Sequence, residues 1–152
     1  MLTLLPYADY EKSAKIFNNN LLTEQIKNVN IILDVLHQVN ESSGWNNSPA
    51  VLMWLNYEPQ LCMFGLALCR EFKSRTNASH EQEARIEWHL DCATGGSFSM
   101  RKPPWSGLPA LHEAHQAEMI RLHSKYVMYF DVPKDTPMYW PGMSTDGTLE
   151  QG

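Results

Sequence analysis

From Ser48 to about Ser74 the chain is apolar around nearly the whole circumference of a helix, with Val51, Trp54, Leu55, Leu61, Cys62, Phe64, Leu66, Leu68, Cys69 and Phe72 leaving no continuous polar face. A helix of this kind needs cover on every side, so it predicts a buried central helix with other helices around it. Pro59 lies inside the stretch and should kink it or split it in two, because proline has no N–H to donate and its ring clashes with the preceding turn. Ser48 suits the N-cap and Pro49 the first helical position.

The surrounding helices are written in the spacing of apolar residues. Leu22, Ile26, Val29, Leu33 and Leu36 recur at intervals of four and three, leaving Thr23, Glu24, Lys27 and Asp34 off the stripe. A shorter helix is expected from about Tyr10 to Phe17, ending in the turn-forming Asn18-Asn19-Asn20. A last one runs from about Pro109 to Tyr126, with Leu111, His115, Met119 and Leu122 on one side. Met1 to Tyr10 is apolar and then turns at Pro6-Tyr7-Ala8-Asp9, so its extended start should tuck against the core. Residues 75–108 offer few apolar anchors and contain Gly95-Gly96 and Pro103-Pro104, which reads as a long variable loop. Phe130, Val132, Tyr139 and Trp140 close the chain, and 142–152 reads as a disordered tail. With no repeats and no strand ladder, the expected fold is all-α: a compact single-domain helical bundle over residues 1–141.

Composition narrows the functional classes. A chain of 152 residues, 43% hydrophobic, is long enough for one sizeable core. It has no uninterrupted apolar run of membrane-spanning length and no basic-then-apolar signal pattern, so a cytoplasmic protein without a membrane partner is expected. Three cysteines are an odd number, and Cys62 and Cys69 sit about 10 Å apart along one helix, too far for a disulfide, so they read as reduced core residues. The net charge of −5 argues against broad adhesion to DNA or an anionic membrane, although Arg70, Lys73 and Arg75, then Arg101 and Lys102, then Arg121 and Lys125 form local basic groups.

Three constellations carry possible chemistry. The turn before the central helix presents Trp45, Asn46, Asn47 and Ser48 at a helix start whose free N–H groups and positive dipole end suit an anion. Glu24 and Lys27, three residues apart, put a carboxylate and an amine on neighbouring helix surface, either as an acid/base pair with a phosphate contact or as an exposed ion pair. His112 and His115 share a face at metal-ligand spacing, but no third and fourth ligands recur with them beyond His89, Asp91 and Cys92 in the loop, so no metal is assigned. His112 reads instead as a phosphate or substrate contact, with His115 packed beside it. Trp45 and Trp105 flank the polar junctions and suit either stacking on a base or rim packing.

Leu4-Leu5-Pro6-Tyr7-Ala8-Asp9-Tyr10-Glu11-Lys12-Ser13-Ala14, the Gly44–Trp54 block, Leu111-His112-Glu113-Ala114-His115 and Tyr139-Trp140-Pro141 together resemble the pyrimidine-dimer DNA glycosylase (endonuclease V) family, in its large bacterial and phage branch. The resemblance implies an all-helical domain that flips a base out of damaged or modified DNA, cuts its glycosidic bond and nicks at the abasic sugar, without a cofactor. It implies a nucleophilic α-amine, here that of Met1, which is substantially neutral at cellular pH and forms an imine with the sugar C1′. It also implies an assisting glutamate, at the position of Glu24; from the residues themselves, substrate contacts are expected from Lys27, Trp45, Asn46, Asn47, Ser48, His112, His115 and Arg121.

This chain departs from the branch's pattern. Leu2 is bulky enough to keep Met1 in place, Leu21, Glu24 and Ile26 stand where the branch typically carries Arg, Lys and Arg, and Asn46 and Ser48 replace an Arg and a His. Lost phosphate-binding cations weaken DNA affinity. Two functions follow from the sequence: a base-excision glycosylase with abasic-site lyase activity, or a catalytically inactive protein on the same fold that sequesters a nucleotide or engages a host protein.

Overall fold

The computed structural model describes residues 2–37, 48–94 and 100–141. Its elements are helical: α1 (Tyr10–Ile16), α2 (Asn19–Leu36), α3 (Pro49–Leu52), α4 (Glu58–Thr76), α5 (Glu83–Thr94), α6 (Pro109–Leu122) and a 3₁₀ turn (Ser124–Met128). The all-α, single-core architecture matches the expectation, with no strand among the described residues.

The central stretch divides at its proline. Pro59 stands in the first turn of α4, where its missing N–H costs nothing, and Asn56 turns the chain ahead of it at a φ of 71°. Leu61, Cys62, Phe64, Leu68 and Cys69 of α4 are fully buried, both thiols free and pushed up by burial to about 12. α4 packs against α1, α2 and α5. It ends at Asn77, whose left-handed backbone (φ 59°) lets its N–H close on the Lys73 carbonyl.

Caps set the neighbouring helices. Asp9 accepts from Lys12 N–H to start α1, and Asn18 accepts from Leu21 N–H to start α2. Arg75 of α4 ties the two together, donating to the Lys15 carbonyl at the end of α1 (3.1 Å) and to Asn19 Oδ1 at the start of α2 (3.0 Å).

Two expectations are corrected. Residues 75–108 contain α5, whose buried Ile86, His89 and Ala93 keep helical spacing. The sequence hides it because Ile86 is the single strongly apolar residue of the three. The helix after Pro109 was expected against the central helix; α6 is instead tied to the N-terminal segment, through hydrogen bonds to Leu5 and Pro6. No described helix is long and apolar enough to cross a membrane.

Gly65 is where α4 comes closest to its neighbours. A Cβ there would lie 2.8 Å from Val29 Cγ1 on α2 and 3.0 Å from Ile86 Cδ1 on α5. Valine is stiff at χ1, so the contact does not yield easily. Gly65→Val is expected to lower unfolding free energy by about 2 kcal/mol or more through overpacking, read from the midpoint of urea denaturation.

Candidate functional site

An extended segment laid on a core has unmet backbone donors and acceptors, and each must find a partner. Residues 2–6 find theirs in side chains. Gln25 of α2, only 2% exposed, accepts from Leu4 N–H (2.7 Å) and donates to the Leu2 carbonyl (3.0 Å), where Asn28 Nδ2 adds a second bond at 2.9 Å. The Trp54 indole donates to Thr3 Oγ1 (3.0 Å). His115 Nδ1 accepts from Leu5 N–H (2.8 Å), His112 Nδ1 donates to the Leu5 carbonyl (2.8 Å), and Gln116 donates to the Pro6 carbonyl (2.8 Å). α2 and α6 thus hold the start of the chain from two sides.

Beside this clamp lies an open cleft of about 140 Å³, lined by Leu2, Glu24, Asn28, Glu118 and Leu122 among others. Glu24 is exposed there, one helical turn from Asn28. Glu118 faces the same cleft, its Oε2 bound by Arg121 Nη2 (2.6 Å) and Nε (3.0 Å). The remaining Arg121 nitrogen donates to the carbonyls of Lys134 and Thr136, so this guanidinium fastens the C-terminal segment to α6.

The structure describes part of the sequence-derived site. Glu24 and Arg121 border the cleft region, Arg121 through Glu118. Lys27 is exposed on α2 and forms no ion pair with Glu24; its charge acts on His80 instead. Met1, Trp45, Asn46 and Asn47 lie outside the described residues. Trp105 is a core residue, donating from its indole to the Met53 carbonyl (2.9 Å) and meeting Trp54 edge-on.

Ser48 caps α3 as expected, and the first N–H groups of this short helix are taken by Ser48 itself. Ser48 Oγ takes Ala50 N–H (3.3 Å), and the Ser48 carbonyl takes those of Val51 (3.0 Å) and Leu52 (2.9 Å). Pro49 has none to offer.

The geometry gives the two histidines of α6 a holding task. His112 is 8% exposed, and both its ring nitrogens are engaged: Nδ1 donates to Leu5, and Nε2 accepts from Gly107 N–H (2.9 Å), which fixes the tautomer. His115 is fully buried, its Nε2 without a partner. Gln25, Asn28 and Glu118 were missed from sequence. Gln25 carried a signal, being a polar residue on the apolar face between Leu22 and Val29.

Residues 2–6 are thus held by α2 and α6 beside a cleft lined by Glu24 and Glu118. The pyrimidine dimer DNA glycosylase family profile matches residues 1–84, more than half of the 152, and the chain belongs to that family. No curated protein and no solved structure matches it.

Burial, with a smaller contribution from neighbouring His112, lowers the His115 pKa from the usual 6.5 to about 3. Between these values the unfolded chain binds a proton that the folded chain refuses, so stability is complete above about pH 6.5 and falls as pH drops toward about 3. His115→Asn, whose Oδ1 still accepts from Leu5 N–H, is expected to flatten this pH dependence in denaturant titrations. A slope remains, since burial also lowers the pKa of His37, His80 and His89.

Proposed function

We propose that this protein is a DNA glycosylase with abasic-site lyase activity, in which the Met1 α-amine attacks the sugar C1′ and Glu24 assists. Family membership supports the glycosylase class. The observation that carries the finer reading is the anchoring of the Leu2 carbonyl by Gln25 and Asn28, next to the cleft that Leu2 and Glu24 share. An α-amine is the side-chain-free nucleophile such an arrangement offers, and its ordinary pKa near 8 leaves a useful neutral fraction. Attack at C1′ expels the base and gives an imine; β-elimination then breaks the 3′ C–O bond. Glu24 would stabilise cationic character on the sugar and carry protons between these steps. Gln25, Asn28, His112 and His115 act as positioning residues, holding residues 2–5 so that the amine meets the sugar in one geometry.

A second reading, a catalytically inactive binder of a nucleotide or a host protein, draws support from the basic residues. Arg75 caps two helix ends, Arg85 pairs with Asp34, and Arg121 is spent on Glu118 and the C-terminal segment. Phosphate binding has to come from the remaining cations, against a net charge of −5.

Borohydride reduction separates the two. With abasic-site DNA at low salt, the enzyme gives a covalent adduct that peptide mapping assigns to Met1, retained in Lys27→Ala and lost when the α-amine is blocked. Glu24→Gln is expected to slow strand cleavage by about 10²- to 10⁴-fold with little change in melting temperature. Absence of any adduct or cleavage across uracil, abasic and dimer substrates leaves the binder.

A further inference from the structure

With Arg75, Arg85 and Arg121 engaged inside the molecule, the cations left for a partner are spread unevenly over it. α1 with its cap and the last two turns of α4 (residues 70–76) carry Lys12, Lys15, Arg70, Lys73 and Arg75 against Asp9, Glu11 and Glu71. Lys102 joins them, its Nζ 5.5 Å from the ring centroid of Tyr10 on α1. Six of the chain's 12 Lys and Arg thus stand with three of its 17 Asp and Glu, a local balance of +3 in a protein whose total is −5. The remainder of the chain carries −8.

α1 packs on α4, and a groove of about 270 Å³ runs between them, lined by Glu11, Lys15, Ala67, Arg70, Glu71 and Ser74. Its two carboxylates are already met: Arg70 Nη2 reaches Glu11 Oε1 (3.2 Å) and Arg75 Nε reaches Glu71 Oε1 (3.4 Å). Lys15 and Ser74 are exposed, and among the described residues the Lys15 ammonium and the Ser74 hydroxyl have no hydrogen-bond partner. What the groove offers a ligand is therefore donors. Lys12 and Lys73 are also exposed, each three residues from Lys15 or Arg70 on the same helix, so two short cationic rows flank the groove.

Cations strung along two helices match an extended polyanion better than a single phosphate, because every phosphate neutralised releases further counterions. Ammonium, guanidinium and hydroxyl groups are the usual donors to a phosphodiester. The groove also lies close to the cleft. Arg75 donates to the Lys15 carbonyl on α1 and to Asn19 Oδ1 at the first residue of α2, and Glu24 at the cleft is five residues further on, about 8 Å of helical rise.

We propose that the face formed by α1 and the last two turns of α4 is where the DNA backbone lies, its phosphate oxygens received by Lys15, Arg70 and Ser74 in the groove and by Lys12, Lys73 and Lys102 around it. The inference rests on DNA as the ligand, the class that family membership gives, and not on the amine chemistry at the cleft. The cleft is lined by Glu24 and Glu118 and by no cation among the described residues, so it repels a phosphate. Backbone and reacting sugar are then met on different surfaces.

Fluorescence anisotropy of a labelled duplex, titrated with the full chain at several salt concentrations, tests this. Lys15→Gln with Lys73→Gln should weaken binding about tenfold at low salt and reduce the slope of log K against log salt by about 1 for each lysine removed. Both lysines are exposed, so an unchanged melting temperature is expected, and Lys12→Gln with Lys102→Gln provides a second pair if the first fails to fold. Lys125→Gln and Lys134→Gln, outside the face, should leave affinity and slope as in the parent. The proposal is overturned if both folded pairs bind like the parent, or if the two outside variants lose as much. It is also overturned if poly-L-glutamate binds the parent more tightly than the duplex does, which marks the face as a dock for an acidic protein. Binding is read without imine formation or cleavage. A parent that binds DNA through these lysines yet gives no adduct sinks the amine mechanism and leaves this face standing, whereas an active parent whose variants bind unchanged sinks only the face.

Discussion

The extended N-terminal segment buries backbone groups that no secondary structure satisfies, and the arrangement around it follows from meeting them. Thr3, Leu4 and Leu5 are essentially inaccessible to water, and side chains from elsewhere pair the Leu4 and Leu5 N–H groups and the Leu2 and Leu5 carbonyls. Gln25 and Asn28 do this from α2 and His112, His115 and Gln116 from α6, more than a hundred residues away from Leu5 in the latter case. α6 is joined to the molecule in this way. Polar residues placed inside an apolar interface would normally destabilise it; here they are what makes the interface specific.

The charged residues show a similar economy. Exposed ion pairs contribute little by themselves, and Arg70–Glu11 is one of these, with both side chains more than half exposed. Arg75 and Arg121 act differently, because they spend their donors on backbone carbonyls that helix ends and irregular segments leave open. Arg85 fixes Asp34, and through it the orientation of two histidines. A protein acting on a polyanion would be expected to keep such groups for phosphate. Their internal use leaves fewer cations free to meet a phosphate, against a net charge of −5.

Periodicity made α2 legible through apolar residues at three and four; the central stretch was legible as an all-round apolar run divided at Pro59, and α1 by the asparagine run that ends it. α5 escaped because a helix that buries a histidine and an alanine beside one isoleucine leaves almost no hydrophobic signal. The candidate site was legible in part. Glu24 came from resemblance and Leu2 stands with it at the cleft, whereas Glu118 arrives from an element nearly a hundred residues on, in a spacing that marks nothing. Ser48 was rightly read as a cap; the loss of its free donors follows from a helix only four residues long, whose first N–H groups turn back onto the capping residue itself.

By itself, then, the sequence determined what has to be buried and where helices begin and end, because those choices depend on the spacing of apolar side chains and on local caps. Which polar groups meet was decided only by the tertiary structure. A histidine reads the same in sequence whether it faces a phosphate, a metal or a backbone amide. The long-range packing of α6 on the N-terminal segment assigned His112 and His115 to Leu5, and the packing of α2 against α5 set His89 between Asp34 and His37. Hydrogen bonds act over about 3 Å, and separations that small between residues fifty or a hundred positions apart are fixed by the fold rather than by the local sequence.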